Sequence, residues 1–75
     1  MKTLVIWFLL FNANVQQGTV KYYNERSGFG YIKSNNIEYF VYESGLVDEI
    51  KAGDKVTFRV VDTRKGLEAI EVRLK

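Results

Sequence analysis

Two aromatic pairs, Phe29 with Tyr31 and Phe40 with Tyr42, are the residues of this 75-residue chain best spaced to do chemistry. On a strand, positions i and i+2 point the same way, so each pair sets two rings on one face. A flat ring accepts any nucleobase by stacking, worth about 1–3 kcal/mol per base by alanine substitution. Lys21, Arg26, Lys33 and Lys65 stand ready to hold the phosphates of such a ligand. Catalysis finds much less to work with. There is no cysteine and no histidine, which removes thiolate ligands, the commonest general base and the commonest metal ligand. The carboxylates are spread along the chain. Glu25 and Glu38, the pair most like an acid–base couple, fall at turns and read as solvated surface. No nucleophile–base pair, metal set or phosphate-cradling loop is readable, so neither an enzyme nor a cofactor, metal or small-molecule substrate is expected.

Length and charge set the frame. A chain of this size forms one domain, which buries only roughly 60% of the surface its unfolded form exposes. The net charge is +2 and the pI about 9.0, which permits nucleic-acid binding without demanding it. The aromatics are more telling. With one Trp, five Tyr and five Phe, seven of eleven fall between Tyr22 and Tyr42, all five tyrosines among them. A core draws aromatics from every strand, so this crowding asks for another use.

The elements that must position these rings are strands. Gly18–Tyr23 is rich in β-branched and aromatic residues and is closed by the polar turn Asn24–Ser27. Gly28–Lys33 forms a second strand, and Ser34-Asn35-Asn36 a tight turn, because Asn tolerates positive φ. Glu38–Glu43 is the third. Ser44–Gly53 is a connection with room for one helical turn around Leu46, Val47 and Ile50, capped by Ser44. Lys55–Val61 alternates cleanly, Asp62–Gly66 turns the chain, and Leu67–Leu74 alternates again. Five short strands without a helix of normal length imply a meander or small barrel. Alternation assigns Val20, Gly30, Ile32, Tyr39, Val41, Val56, Phe58, Val60, Ile70 and Val72 to the interior.

That assignment leaves Phe29, Tyr31 and Lys33 outward on the second strand, and Phe40 and Tyr42 outward on the third. Paired as a hairpin around Asn35-Asn36, the four rings become neighbours. Both faces of the hairpin are then apolar, and a soluble monomer exposes such a face only where it is used. The alternative use is a protein-interaction or oligomerisation module built on the same rings. Gly28 and Gly30 fit either use, since glycine in a strand marks a bulge, a bend or a close backbone approach.

Residues 1–17 read differently. Lys2 precedes the run Leu4–Phe11, eight apolar residues, and a polar exit at Asn12-Ala13-Asn14. The outline is that of a secretory signal, but no A-x-A spacing follows it. Eight apolar residues are too few to cross a bilayer, which takes about 20 in helical form. A start assigned too far upstream, a signal peptide and an extra structured segment all remain open. The domain proper is placed at 18–75.

Across that domain the chain resembles the bacterial cold-shock proteins. Gly18-Thr19-Val20-Lys21-Tyr22-Tyr23-Asn24 followed by Ser27-Gly28-Phe29-Gly30-Tyr31-Ile32 is similar to their opening and first RNP-type motif (K-G-F-G-F-I). Tyr39-Phe40-Val41-Tyr42 is similar to the second motif (V-F-V-H). Ser44-Gly45-Leu46, Gly53–Phe58 and Lys65–Ala69 continue the match. The resemblance implies an all-β, five-stranded antiparallel OB-fold barrel that binds single-stranded RNA or DNA with low sequence specificity. It also implies a cytoplasmic monomer acting as an RNA chaperone, with regulation of transcription or translation as a consequence; export would apply only if residues 1–14 work as a signal. Carried over by position, Tyr22, Phe29, Tyr31, Phe40 and Tyr42 stack bases, and Lys21 and Lys65 match basic positions. Alternation from Val20 would turn Lys21 and Tyr23 outward and Tyr22 inward, whereas the family has the Tyr22 position on the binding face. A β-bulge in the first strand reconciles the two.

The chain also departs from the family pattern. Ser27 replaces the lysine that opens the first motif, with Arg26 adjacent. Tyr22 stands for a tryptophan, Tyr42 for a histidine, and Glu43 for a further aromatic. Gly18–Glu43 holds three basic and three acidic residues, a formal charge of zero. Binding weaker than that of a typical member is expected, resting more on stacking than on charge.

Overall fold

The computed structural model describes residues 15–75; the apolar run Leu4–Phe11 and the readings placed on it lie outside the described residues. Five strands follow one another: β1 (Val15–Asn24), β2 (Phe29–Ser34), β3 (Ile37–Tyr42), β4 (Lys55–Thr63) and β5 (Gly66–Leu74). They close into a barrel in the order β1-β2-β3-β5-β4, with β4 returning to β1. All neighbours are antiparallel except β3 and β5, which run parallel through Phe40↔Glu68 and Val41↔Ala69. This is the expected OB-fold barrel. The first strand starts earlier than Gly18, since Val15 already pairs with Arg59.

The β2–β3 hairpin forms as its turn chemistry dictates. Asn35 and Asn36 take φ of 51° and 68°, the positive pair that a two-residue primed turn demands and that Asn accepts. That turn fixes an unbroken register from Ser34↔Ile37 to Phe29↔Tyr42. The connection after β3 differs from expectation. Its helical turn is a short 3-10 turn at Glu43–Gly45, with Tyr42 rather than Ser44 at the N-cap position and no side-chain cap, and no helix forms around Leu46–Ile50. Ile50 is buried instead as part of the core.

The interior holds Val20, Ile32, Tyr39, Val41, Ile50, Val56, Phe58, Ala69 and Val72, with Tyr23, Leu46 and Val60 packed against it. Gly30 is buried among them, as expected. One interior assignment fails: Ile70 is only half-buried, and Ala69, fully buried, takes its place. The cause is an extra residue on β5. Thr57 faces Arg73 and Arg59 faces Ile70, so two steps on β4 match three on β5, and Glu71 takes up the difference at φ 51°. Alternation changes phase there, which simple period-2 reading cannot follow.

Candidate nucleic-acid interface

The outer face of β2 and β3 carries the four rings side by side. Phe29 lies 5.1 Å from Tyr31, 5.9 Å from Phe40 and 5.4 Å from Tyr42 between centroids, and Tyr31 lies 5.7 Å from Phe40. These distances sit within the range in which aromatic pairs attract, so each ring helps hold its neighbours in place. All four are half-buried, shielded by one another. Behind them Gly30, Ile32, Tyr39 and Val41 fill the barrel. The hairpin is therefore apolar on both faces, one internal and one turned to water.

A bulge adds the fifth ring. Val20 pairs with Ile32 and Tyr22 with Tyr31, so β1 advances two residues while β2 advances one, and Lys21 is the extra residue. The phase change turns Tyr22 outward, 47% exposed, and packs Tyr23 against the core, reversing what strict alternation gives for both. Burial pushes the Tyr23 phenol above its usual range, and the nearby charges of Glu43 and Glu25 add to the shift. Gly30 makes the crossing work. A Cβ there would meet the Tyr22 carbonyl oxygen, and would lie 2.8 Å from the Tyr23 Cα.

The turn that aims Phe29 is organised by Asn24. Its Oδ1 accepts from the Arg26 and Ser27 amides at 2.9 and 3.2 Å, and its carbonyl accepts from the Gly28 amide at 2.9 Å. Gly28 then leaves the turn at φ 67°. Asn24 was legible only as a polar turn residue; the sign of its larger task is Asn at the first position of a turn, where its side chain reaches amides further on.

The four cations do not gather at one point. Lys21 is bound to Glu38, Nζ to Oε2 2.6 Å, and this contact holds the Glu38 carboxyl below the usual range. Lys33, opposite Glu38 in the hairpin, is exposed. Lys65 reaches over the rings from the β4–β5 turn, its ammonium 6.0 Å from the Tyr42 centroid. Beside it Gly66 lies against Phe40, where a Cβ would come 3.4 Å from Cε2. Arg26 is exposed at the β1–β2 turn. Sequence reasoning missed Glu38 as a partner of Lys21, since the two stand on β1 and β3 with β2 between them. Among the described residues no group of three or more His, Cys, Asp or Glu side chains gathers to hold a metal.

A closed five-stranded OB barrel with a contiguous aromatic patch on β2 and β3 defines the class. Within it, this chain belongs to the 'Cold-shock' DNA-binding domain family, whose model matches residues 16–75. It is 40% identical over 68 residues to the major cold shock protein CspA of Pseudomonas aeruginosa, covering 83% of this chain and 97% of that protein. It is 34% identical over 64 residues to cold shock protein CspC of Bacillus subtilis, covering 79% and 97%. Among solved structures it resembles the Drosophila Unr CSD456 segment, at a TM-score of 0.72 and 26% identity, over 91% of this chain and 29% of that one. Escherichia coli CusF in its Ag(I) form shares the fold alone, at a TM-score of 0.64 and 21% identity over 81% of this chain and 89% of that chain.

Proposed function

We propose that this protein binds single-stranded RNA or DNA with little sequence preference, stacking bases on Phe29, Tyr31, Phe40, Tyr42 and Tyr22. Lys33, Lys65 and Arg26 hold phosphates, and Lys21 joins them when a phosphate displaces Glu38. Exchange there is easy, because an exposed ion pair is worth little on its own. Holding bases apart on rings keeps a strand unpaired, which is the action of an RNA chaperone in the cytoplasm. Control of transcription or translation follows where that strand is a transcript. The observation that carries the reading is the set of four touching rings on the outer face of a hairpin whose inner face is already fully packed. The flanking cations favour nucleic acid over a dry protein interface.

Titration of labelled oligo-dT and oligo-U at low salt tests it. Saturable binding to both is expected and, for an oligomer no longer than the aromatic patch, a shallow fall of log affinity against log salt, because Gly18–Glu43 carries no net charge and few phosphates are neutralised. No saturable binding, together with a concentration-dependent dimer in light scattering, would replace this function with self-association.

A further inference from the structure

The net positive charge of this chain comes from outside the segment that carries the rings, with Lys65 alone of that excess reaching over Tyr42. Gly18–Glu43 sums to zero, whereas Lys55–Lys75 holds six basic and three acidic residues, a net of +3. The barrel register brings part of that excess to the edge of the aromatic patch. Thr19 pairs with Lys33 on one side and with Lys55 on the other, so Lys33, Thr19 and Lys55 form one row across β2, β1 and β4. At about 4.7–4.9 Å per strand the two lysine backbones are about 10 Å apart. Lys33 also shares the outer face of β2 with Tyr31 and Phe29, so the row begins where the rings end.

The row continues. The Lys75 amide donates to the Lys55 carbonyl at 2.9 Å, and its Nζ donates to Gln17 Oε1 at 2.6 Å, which ties the C-terminal cation onto this face. Gln17 pairs with Thr57 and Thr57 with Arg73, setting Arg73 in the next row. Lys33, Lys55, Arg73 and Lys75 are all exposed, and none is in an ion pair among the described residues. The acids around them are engaged: Glu38 with Lys21, Asp54 with Lys51, Glu71 with Arg59, and Asp48 with the Leu74 amide. Among the described residues no exposed aromatic ring lies in these rows; Thr19, Gln17 and Thr57 stand between the cations, bordered by the exposed Val15 and the Arg59–Glu71 ion pair.

We infer that a strand longer than the aromatic patch continues past Lys33, over β1 and onto the outer face of β4 and β5. There Lys55, Lys75 and Arg73 take its phosphates. The inference rests on the reading that the rings stack single-stranded bases, and adds to it a second, purely electrostatic segment. The two segments divide the labour: stacking fixes where the strand sits, and the cation track makes affinity grow with length and fall with salt.

Labelled oligo-dT of about six and about fifteen nucleotides, spanning the site sizes usual for such barrels, tests the track with the full chain. The comparison is between wild type and the double variant Lys55→Glu with Arg73→Glu. The short oligomer should bind both within about twofold, while the long one should lose about tenfold or more in the variant. Its salt slope should become shallower by about 1.4, the share of two single-strand phosphates. Unchanged affinity for the long oligomer overturns the track and leaves the aromatic reading standing. Equal losses for both lengths also overturn it, by showing a general field effect. Failure of wild type to bind either length overturns the aromatic reading itself. Thermal midpoints confirm that the variant is folded; if the charge reversals disturb pairing, Lys55→Gln with Arg73→Gln should give a smaller loss with the same length dependence.

Discussion

The β2–β3 and β4–β5 hairpins touch along the parallel β3–β5 contact, yet they use their outer faces in opposite ways. Both put an alternating apolar set into the same core. Outside, β2–β3 carries four contacting rings around a charge-neutral patch, while β4–β5 carries exposed cations and acids such as Lys55, Arg73 and Asp62. Charge is ordinary on a barrel's outer face and shows a use only where its cations line up, but an aromatic face asks for a use at once, because water is a poor neighbour for it. The contrast teaches where to look for function: in the element whose second face has no structural duty and is apolar all the same.

The sharpest way to break that contrast is to cut each face of one strand pair. Ile32 is fully buried, so Ile32→Ala should cost about 2–5 kcal/mol of stability. In a chain this small each kcal/mol moves the thermal midpoint by about 4–8 °C, and Ile32→Val, at about 0.5–1.5 kcal/mol, keeps the series measurable. Phe40→Ala removes a half-buried ring from the other face. It should weaken oligonucleotide binding by about 1–3 kcal/mol while lowering the midpoint far less than Ile32→Ala. If Phe40→Ala unfolds the barrel as Ile32→Ala does, while the folded fraction binds normally, the outer rings are a second core and the contrast is lost.

A smaller effect separates the two hairpins by their regularity. Ala69→Leu should cost about 1–3 kcal/mol by overpacking a site with no room, whereas Ile70→Ala, at a half-buried position, should cost under about 1 kcal/mol. Urea midpoints of the two variants check this. The reverse ranking would mean that β5 keeps its phase through Glu71 and that no bulge exists in solution.

These positions also show how far the sequence could be read. In β2–β3 the Asn35-Asn36 turn needs positive φ and sets the register, so the inward and outward residues follow from alternation, save Ile37 beside the turn, which is exposed. The corrections to which residues face inward on the other strands each trace to one inserted residue. The extra Lys21 in β1 moves Tyr22 outward and Tyr23 inward, and the extra residue at Glu71 exchanges Ile70 for Ala69. Bulges are set by how strands cross in three dimensions and leave little local trace. Only Gly30, which lets β1 pass close, hinted at the first, and a bulge was expected there because the family resemblance required it. The site was legible as a set of rings. What stayed hidden was the pairing of its charges: Lys21 with Glu38 across β2, and Lys33 in line with Lys55 through Thr19.

The ion pair of Lys21 and Glu38 gives the smallest effect and the finest test of how the neutral patch works. Hydrogen bonding from Lys21, then its charge, lowers the Glu38 carboxyl pKa in the folded protein. A depressed carboxylate pKa means the pair is intact above the usual Glu range and is lost as pH falls through the lowered folded-state value. While the pair is intact, Glu38 occupies Lys21 and places a negative charge where a phosphate would lie. Glu38→Gln should therefore raise oligonucleotide affinity a few-fold at neutral pH and steepen the salt slope by about 0.7, the share of one added phosphate contact. As pH is lowered through the folded-state pKa of Glu38, wild type gains the same freedom, and the two affinity curves should converge. Curves that stay parallel down to acid pH would show that Glu38 does not restrain Lys21, and that the weak electrostatics of the aromatic face have another source.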